Sequence, residues 1–356
     1  MTQTIDWNLI RRILLGGYVV VFLLSAKYNG IPLDRLAVLA WMFAAFAVAT
    51  VGKKKHEVWL MMRDWFTLFT IYMLYDYSRG IADQLGMPVN YTWAHNIDKF
   101  LFFGHDPNAV LQHRYYDPTT VHWYDILGSL IYMTHFALPV IPLTWLRLRD
   151  RNEWLRYVRR FYATLGSAVV IFVLFPAAPP WMAARDGRLS GVQPNKLTGR
   201  GWSELGLRVV TRTLDRGQAV LNSVAAMPSL HAGCALLVTL WFTRNSPKWV
   251  RWVAMIFPAS MVVTLVYFGE HFVVDTIAGF GIVILAWKLC DKWEAKHPPH
   301  DPSTHGAFDP AGNTEHELHV PHLHHEHSEH HGHESVDAAH TDRHEDGDNS
   351  VSSKPV

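Results

Sequence analysis

Residues 227–290 read MPSLHAGCALLVTLWFTRNSPKWVRWVAMIFPASMVVTLVYFGEHFVVDTIAGFGIVILAWKLC. Three apolar stretches, at about 229–243, 249–268 and 271–290, fill this segment with little between them. A helix that spans a bilayer needs roughly 20 mainly apolar residues, so the segment predicts three consecutive membrane crossings, the first of them short. Ionisable residues are unfavourable in or beside such spans and mark functional candidates there. Here His231 opens the first stretch, and His271 and Asp275 open the third. Alternate crossings put those two openings on the same side of the membrane.

Upstream, five more stretches carry the same signature, at about 12–27, 34–51, 58–77, 122–147 and 156–176. The third holds Arg63 and Asp64 near one end. Seven or eight spans are expected, which predicts an all-α polytopic membrane helical bundle. Pro139 and Pro142 predict a kink in the 122–147 helix with carbonyls left free. The fifteen Trp and thirteen Tyr suit the lipid–water boundary. Whole-chain averages hide this pattern: mean hydropathy is only +0.04 and charged residues are 18 %. The reason is a polar region from 297 to 356 holding fourteen of the twenty-two histidines, as in His322-Leu323-His324-His325-Glu326-His327. Such a composition buries no core and reads as a disordered tail, able to bind Zn, Ni or Cu loosely. Cys234 and Cys290 lie in apolar stretches and read as buried thiols. A net charge of +1 gives no sign of a nucleic-acid partner, and no small-residue cleavage site follows the first apolar run.

Lys and Arg gather in cytoplasmic loops. Alternate connectors hold Arg11-Arg12, Lys53-Lys54-Lys55, the run Arg147 to Arg160, Arg244 with Lys248 and Arg251, and Lys288 with Lys292. The other set, at about 78–121 and 177–227, is longer and mixed in sign. One orientation satisfies every short loop: both termini cytoplasmic, the two long loops outside, and His231, His271 and Asp275 at the outer boundary.

The side chains define the chemistry expected of them. A neutral imidazole attacks phosphorus well when its ring is held, and a carboxylate four residues on can take the Nδ1–H of His271 and leave Nε2 free. A second, protonated imidazole can give its proton to a departing alkoxide. Charge on the phosphoryl oxygens calls for helix N-terminal N–H groups, Ser229, and cations from a loop. Arg185, Arg188, Lys196 and Arg200 are the candidates in the outward loop. His135, in mid-span between Tyr132 and Pro139, reads either as a structural hydrogen-bond partner or as part of a substrate pocket. No metal or other cofactor is needed.

Pro228-Ser229-Leu230-His231 and His271-Phe272-Val273-Val274-Asp275 resemble the second and third signatures of the type 2 phosphatidic acid phosphatase superfamily. Ala225-Ala226-Met227-Pro228-Ser229-Leu230-His231, Phe175-Pro176-Ala177-Ala178-Pro179-Pro180-Trp181 and Tyr132-Met133-Thr134-His135-Phe136 resemble motifs of its inositol phosphorylceramide synthase branch. The resemblance spans about 95–290. It implies a six-helix core at 58–296, preceded by a transmembrane hairpin at 1–57 and followed by the tail at 297–356. It also implies His271 as nucleophile, Asp275 as its orienting partner and His231 as the acid. The usual Lys/Arg first signature is absent, and Leu265 stands where an arginine is usual, so phosphate-binding cations must come from elsewhere. The implied function is an integral-membrane phosphotransferase, in a bacterial-type plasma membrane, that passes a phospho-head group such as inositol phosphate from a lipid to an alcohol. Inositol, another polyol or water remains open as acceptor, and with water the enzyme is a lipid phosphate phosphatase. A metal transporter, suggested by the His-rich tail, is weakened by the lack of a carboxylate-lined path through the spans.

Overall fold

The computed structural model describes residues 6–29, 35–81, 87–137, 140–191, 193–202, 204 and 224–297, all within one unit, Met1–Pro299. Of the expected tail only His297 is included, and Pro139 of the expected kink lies outside the described residues.

Every apolar stretch is helical. The helices are α1 Trp7–Asn29, α2 Arg35–Thr50, α3 Lys55–Ile81, α4 Trp93–Leu101, α5 Pro107–Tyr115, α6 Trp123–Ala137 and α7 Val140–Arg149. They continue with α8 Arg151–Leu174, α9 Pro180–Arg185, α10 Leu230–Thr243, α11 Lys248–Ala254, α12 Ile256–Tyr267 and α13 Val273–Lys296. Trp7–Tyr28, Arg151–Leu174, Lys248–Tyr267 and Val273–Lys296 are long and apolar enough to cross a membrane by themselves. The molecule is an all-α polytopic membrane bundle. Helices α1 and α2 pack on each other through Tyr18, whose hydroxyl donates to the Trp41 carbonyl at 3.1 Å.

Two expectations about connectors are corrected. The Arg147–Arg160 run is not a loop: α7 ends at Arg149 and α8 starts at Arg151. Only Asp150 lies between them, its carboxylate accepting from Asn152 N and Glu153 N at 2.8 and 3.2 Å. The helix continues through the charges because Trp154, Tyr157, Val158 and Phe161 keep a helical spacing and are all buried. Its arginines meet carboxylates from other helices. Asp64, buried in α3, accepts from Arg151 Nε and Nη2 at 2.9 Å each and pairs with Arg147 at 2.9 Å. Glu294 of α13 pairs with Arg156, Arg159 and Arg160 at 3.1, 2.8 and 2.8 Å. The second correction concerns 78–121, read as a plain loop, which begins with the end of α3 and contains α4 and α5. Asp106 starts α5 as an N-cap, with Pro107 in the first turn.

At the centre, α8, α10 and α13 share one core with Leu165, Phe172, Leu237, Trp241 and Val283. Helices α10 and α13 approach very closely, since a Cβ on Gly279 would overlap the Ser229 carbonyl oxygen and lie 3.1 Å from its carbon. That contact fixes the second signature on the third.

Candidate active site

The local backbone explains how His231 is presented. Residues 224–226 run extended beside Ala177, with Ala177 N donating to Val224 O at 2.7 Å and Ala226 N to Ala177 O at 3.1 Å. On the other side Ala178 N donates to Asn90 O at 2.9 Å. The Pro-rich 175–181 segment is thus a strut between two loops, and residues 224–226, paired to it, lead the chain into α10. Ser229 caps that helix, its Oγ accepting from Ala232 N at 3.4 Å, so His231 falls in the first turn. Ser229 N also donates to Asp275 O at 2.9 Å.

His271 lies between α12 and α13 and is 6 % exposed, and Asp275 is fully buried in the first turn of α13. The His231 and His271 rings stand 5.7 Å apart between centroids, tilted by 60°. The structure therefore brings together two imidazoles that are forty positions apart in the chain. His271 Nδ1 lies 3.6 Å from Asp275 Oδ2, which is longer than a hydrogen bond. The same oxygen accepts from Phe272 N at 2.9 Å. Asp275 thus braces the turn that carries His271 as well as facing its ring.

His135 joins this group. Its ring stacks on His231 at 3.8 Å with a 29° interplanar angle, and Tyr132, one helical turn before it, stacks on His231 at 4.8 Å.

The cations divide into two groups. Lys196 Nζ and the Arg185 guanidinium lie over the Trp181 ring at 4.7 and 5.3 Å, and Trp181 N donates to Gly269 O, two residues before His271, at 3.1 Å. Arg188 stacks on Tyr91 at 5.3 Å. Arg200 is engaged elsewhere: it pairs with buried Asp125 at 3.5 Å and donates to the carbonyls of Asp117 and Thr120. These contacts tie the start of α6 to the loop before it, and Arg185 is likewise paired, with Asp186 at 2.8 Å.

Sequence reasoning missed three buried residues on α4 and α5. Asp98 accepts from Val273 N and Val274 N at 2.6 and 2.9 Å. Asn108 Nδ2 donates to the carbonyls of Val266 and His271 at 2.8 and 3.0 Å. Gln112 Nε2 donates to Tyr267 O and Asn195 O at 2.8 Å each, and its Oε1 accepts from Asn195 N at 2.7 Å. Together they hold the 266–274 backbone on both sides of His271. Burial pushes the Asp98 carboxyl up to about 6, aided by repulsion from Asp275 and Asp106 and opposed by the two N–H bonds. Because Asp98 and Asp275 take the Phe272, Val273 and Val274 N–H groups, the start of α13 does not supply the phosphate donors expected of it. The only legible trace was the four-residue spacing of Asn108 and Gln112 on a polar helix.

Fold and site together define an integral-membrane enzyme with two histidines and an aspartate gathered where three helices begin or meet. The chain belongs to the PAP2 superfamily, whose family model matches residues 92–289. It is 24 % identical over 277 residues to the phosphoinositol dihydroceramide synthase of Bacteroides thetaiotaomicron, covering 76 % of this chain and 80 % of that one. It is 29 % identical over 171 residues to the inositol phosphorylceramide synthase of Candida albicans, covering 44 % of this chain and 33 % of that protein. With the catalytic subunit of the Saccharomyces cerevisiae enzyme of that name it shares 28 % identity over 172 residues, or 45 % and 41 % of the two chains. The matched regions thus span well under half of either fungal protein. No solved structure matches. The protein is an enzyme of this superfamily, a phosphotransferase or a phosphatase.

Proposed function

We propose that the enzyme transfers a phosphoinositol head group from a phosphatidylinositol-type donor to the primary hydroxyl of a ceramide-type lipid, through a phosphohistidine on His271. The reading rests on the facing of His231 and His271 at 5.7 Å, in a chain whose relatives carry synthase names for that product class. A lipid alcohol then takes the place of the small polyols that the sequence left open.

In the first step His271 Nε2 attacks phosphorus, and the bond to the diacylglycerol oxygen breaks. His231, protonated, gives that oxygen its proton. In the second step the acceptor hydroxyl attacks the phosphohistidine, its proton returns to His231, and His271 leaves as the neutral ring. Asp275 balances the charge on the His271 ring, and a closure of about 0.5 Å makes its contact a hydrogen bond. His135 and Tyr132 stack on His231 and fix its plane. Ser229 sets the turn that presents it, and Lys196 and Arg185 over Trp181 supply the cations for the phosphate. With water as acceptor and a lipid phosphate monoester as donor, the same steps give a phosphatase.

The site faces the outer side of a bacterial-type plasma membrane, with both termini cytoplasmic, because the basic connectors alternate with the segments that build it. The chain divides functionally into the 1–57 hairpin, the 58–296 core and the 297–356 tail, which holds metal only loosely. Purified enzyme given phosphatidylinositol labelled in inositol, with and without dihydroceramide, tests the proposal. The expected product is an inositol-labelled lipid that survives mild alkali and forms only when the acceptor is present. Water-soluble labelled inositol phosphate, released equally in both arms, would show hydrolysis of the donor in place of transfer and overturn the proposal.

A further inference from the structure

Four consecutive apolar residues stand out from the protein at the end of α4. Phe100 is 84 % exposed and Phe103 93 %, with Leu101 and Phe102 at 45 % and 41 %. Neither α4 nor α5 is long enough to span a bilayer, at nine residues each, so these side chains are not the lipid face of a crossing helix. The opposite face of α4 is fixed by contacts. Ala94, His95 and Asp98 are buried, His95 packs on Phe272 at 6.0 Å between rings, and Asp98 holds the Val273 and Val274 N–H groups.

Those bonds also fix the depth of the turn. Helix α13 has 24 residues, about 36 Å of helix, which exceeds a hydrocarbon core of about 30 Å. Asp291, Lys292, Glu294 and Lys296 hold its last turns at the far boundary, and the eighteen residues before them rise about 27 Å, so its first turn lies close to head-group level. Phe100 is two residues from Asp98, so the exposed turn lies at that same level, beside a membrane and not out in water. At Phe103 the backbone takes φ +54°, and Gly104 follows at +92°. A bulky residue in the left-handed region is uncommon, and here it turns the chain back while the ring points away from the fold. Lys99 precedes the four residues, a cation placed where lipid phosphates lie.

We propose that the Phe100–Phe103 turn is an interfacial anchor, inserted into the lipid leaflet on the active-site side and holding α4 and α5 at membrane level. Since Asp98, Asn108 and Gln112 of the same two helices fasten the His271 backbone, the anchor sets the height of the catalytic histidine relative to lipid head groups.

A photoactivatable phenylalanine analogue placed at 100 or at 103, one at a time, tests this in the full-length protein. The protein is held in nanodiscs of phosphatidylcholine and phosphatidylglycerol. Val170, 56 % exposed on the spanning α8, serves as the lipid-facing reference position, and exposed Thr119 as the aqueous one. After irradiation, intact-mass analysis should show single-phospholipid adducts at 100 and 103 within about threefold of the yield at 170, and at least tenfold above that at 119. Adducts at the level of position 119 at both sites would overturn the proposal. So would a covalent dimer in place of a lipid adduct, which would assign the turn to contact with a second copy. The measurement does not depend on turnover, so it stands or falls apart from the assigned reaction.

Discussion

Gly279→Ala is a one-carbon change with a calculable consequence. The added Cβ would overlap Ser229 O and sit 3.1 Å from Ser229 C, whereas carbon atoms in good contact are about 3.5–4.0 Å apart. The obstruction is backbone in the capping residue of α10, so no side chain can swing away. Helix α13 and the start of α10 must part by about 1 Å. His231 rides on one of these elements and Asp275 on the other, while the Ser229 N to Asp275 O bond of 2.9 Å crosses the seam. Overpacking of this kind costs about 1–3 kcal/mol, and a 1 Å misplacement of reacting groups costs about 10²-fold in rate. Gly281→Ala is the control, because no atom lies within 4 Å of its Cβ. It has the same gain in helix propensity, about 1 kcal/mol, and should leave turnover unchanged. Initial rates of head-group transfer and thermal unfolding in detergent, measured side by side, decide the matter. If Gly279→Ala turned over within twofold of Gly281→Ala, the close crossing would not be what aligns the site.

Three other predictions follow from the geometry. His271→Ala should form no phosphoenzyme under an acid-free quench, whereas His231→Ala should still form it from a substrate with a good leaving group and lose most of its rate, about 10²–10⁴-fold, on a natural lipid. If His231→Ala were the variant that lost the covalent phosphate, the two roles would be reversed. Asp98 has a folded-state pKa near 6, above its ordinary 3.8, so its contribution to stability is present below the unfolded value and is lost as pH rises through 6. The melting temperature of the wild type relative to Asp98→Asn should accordingly fall between pH 4 and 6.5, and a constant difference would count against a buried, proton-binding Asp98. Asp64→Ala leaves Arg147 and Arg151 facing an empty partly buried seat and should destabilise the bundle by about 3–5 kcal/mol, measured by thermal unfolding, with Arg63→Ala near neutral.

How much of this was legible in the sequence depended on the range of the interaction. Helices announce themselves through local apolarity: all eight stretches appeared as helical, two of them, 122–147 and 249–268, as two helices each. His231, His271 and Asp275 were legible because charge at a span boundary is rare enough to stand out. The Arg147–Arg160 run was misread as a connector because charge alone was weighed, while the buried spacing of Trp154, Tyr157, Val158 and Phe161 continued beneath it. Arg200 and Arg185 look alike as letters, and each meets a carboxylate: Arg185 its neighbour Asp186, Arg200 the buried Asp125, far from it in the chain. Asp98, Asn108 and Gln112 left almost no trace, since each bonds to backbone N–H or carbonyl groups more than 80 positions away, and backbone groups carry no sequence signal. His135 was noticed as an oddity within a span, but its stacking on His231 is a tertiary fact.

The pairing of α8 with α13 has a bearing on how the molecule is made. Arg160 is 1 % exposed, and its carboxylate partners Glu294 and Asp291 come 134 and 131 positions later. A chain is synthesised from its N-terminus, so the guanidiniums of Arg156, Arg159 and Arg160 reach the membrane long before those carboxylates exist. A buried, unpaired charge is unfavourable in a bilayer, so the seating of α8 depends on the carboxylates of α13. The helix that supplies those carboxylates is also the one that begins beside His271 and contains Asp275. One helix thus both pairs the buried arginine and places Asp275 beside His271.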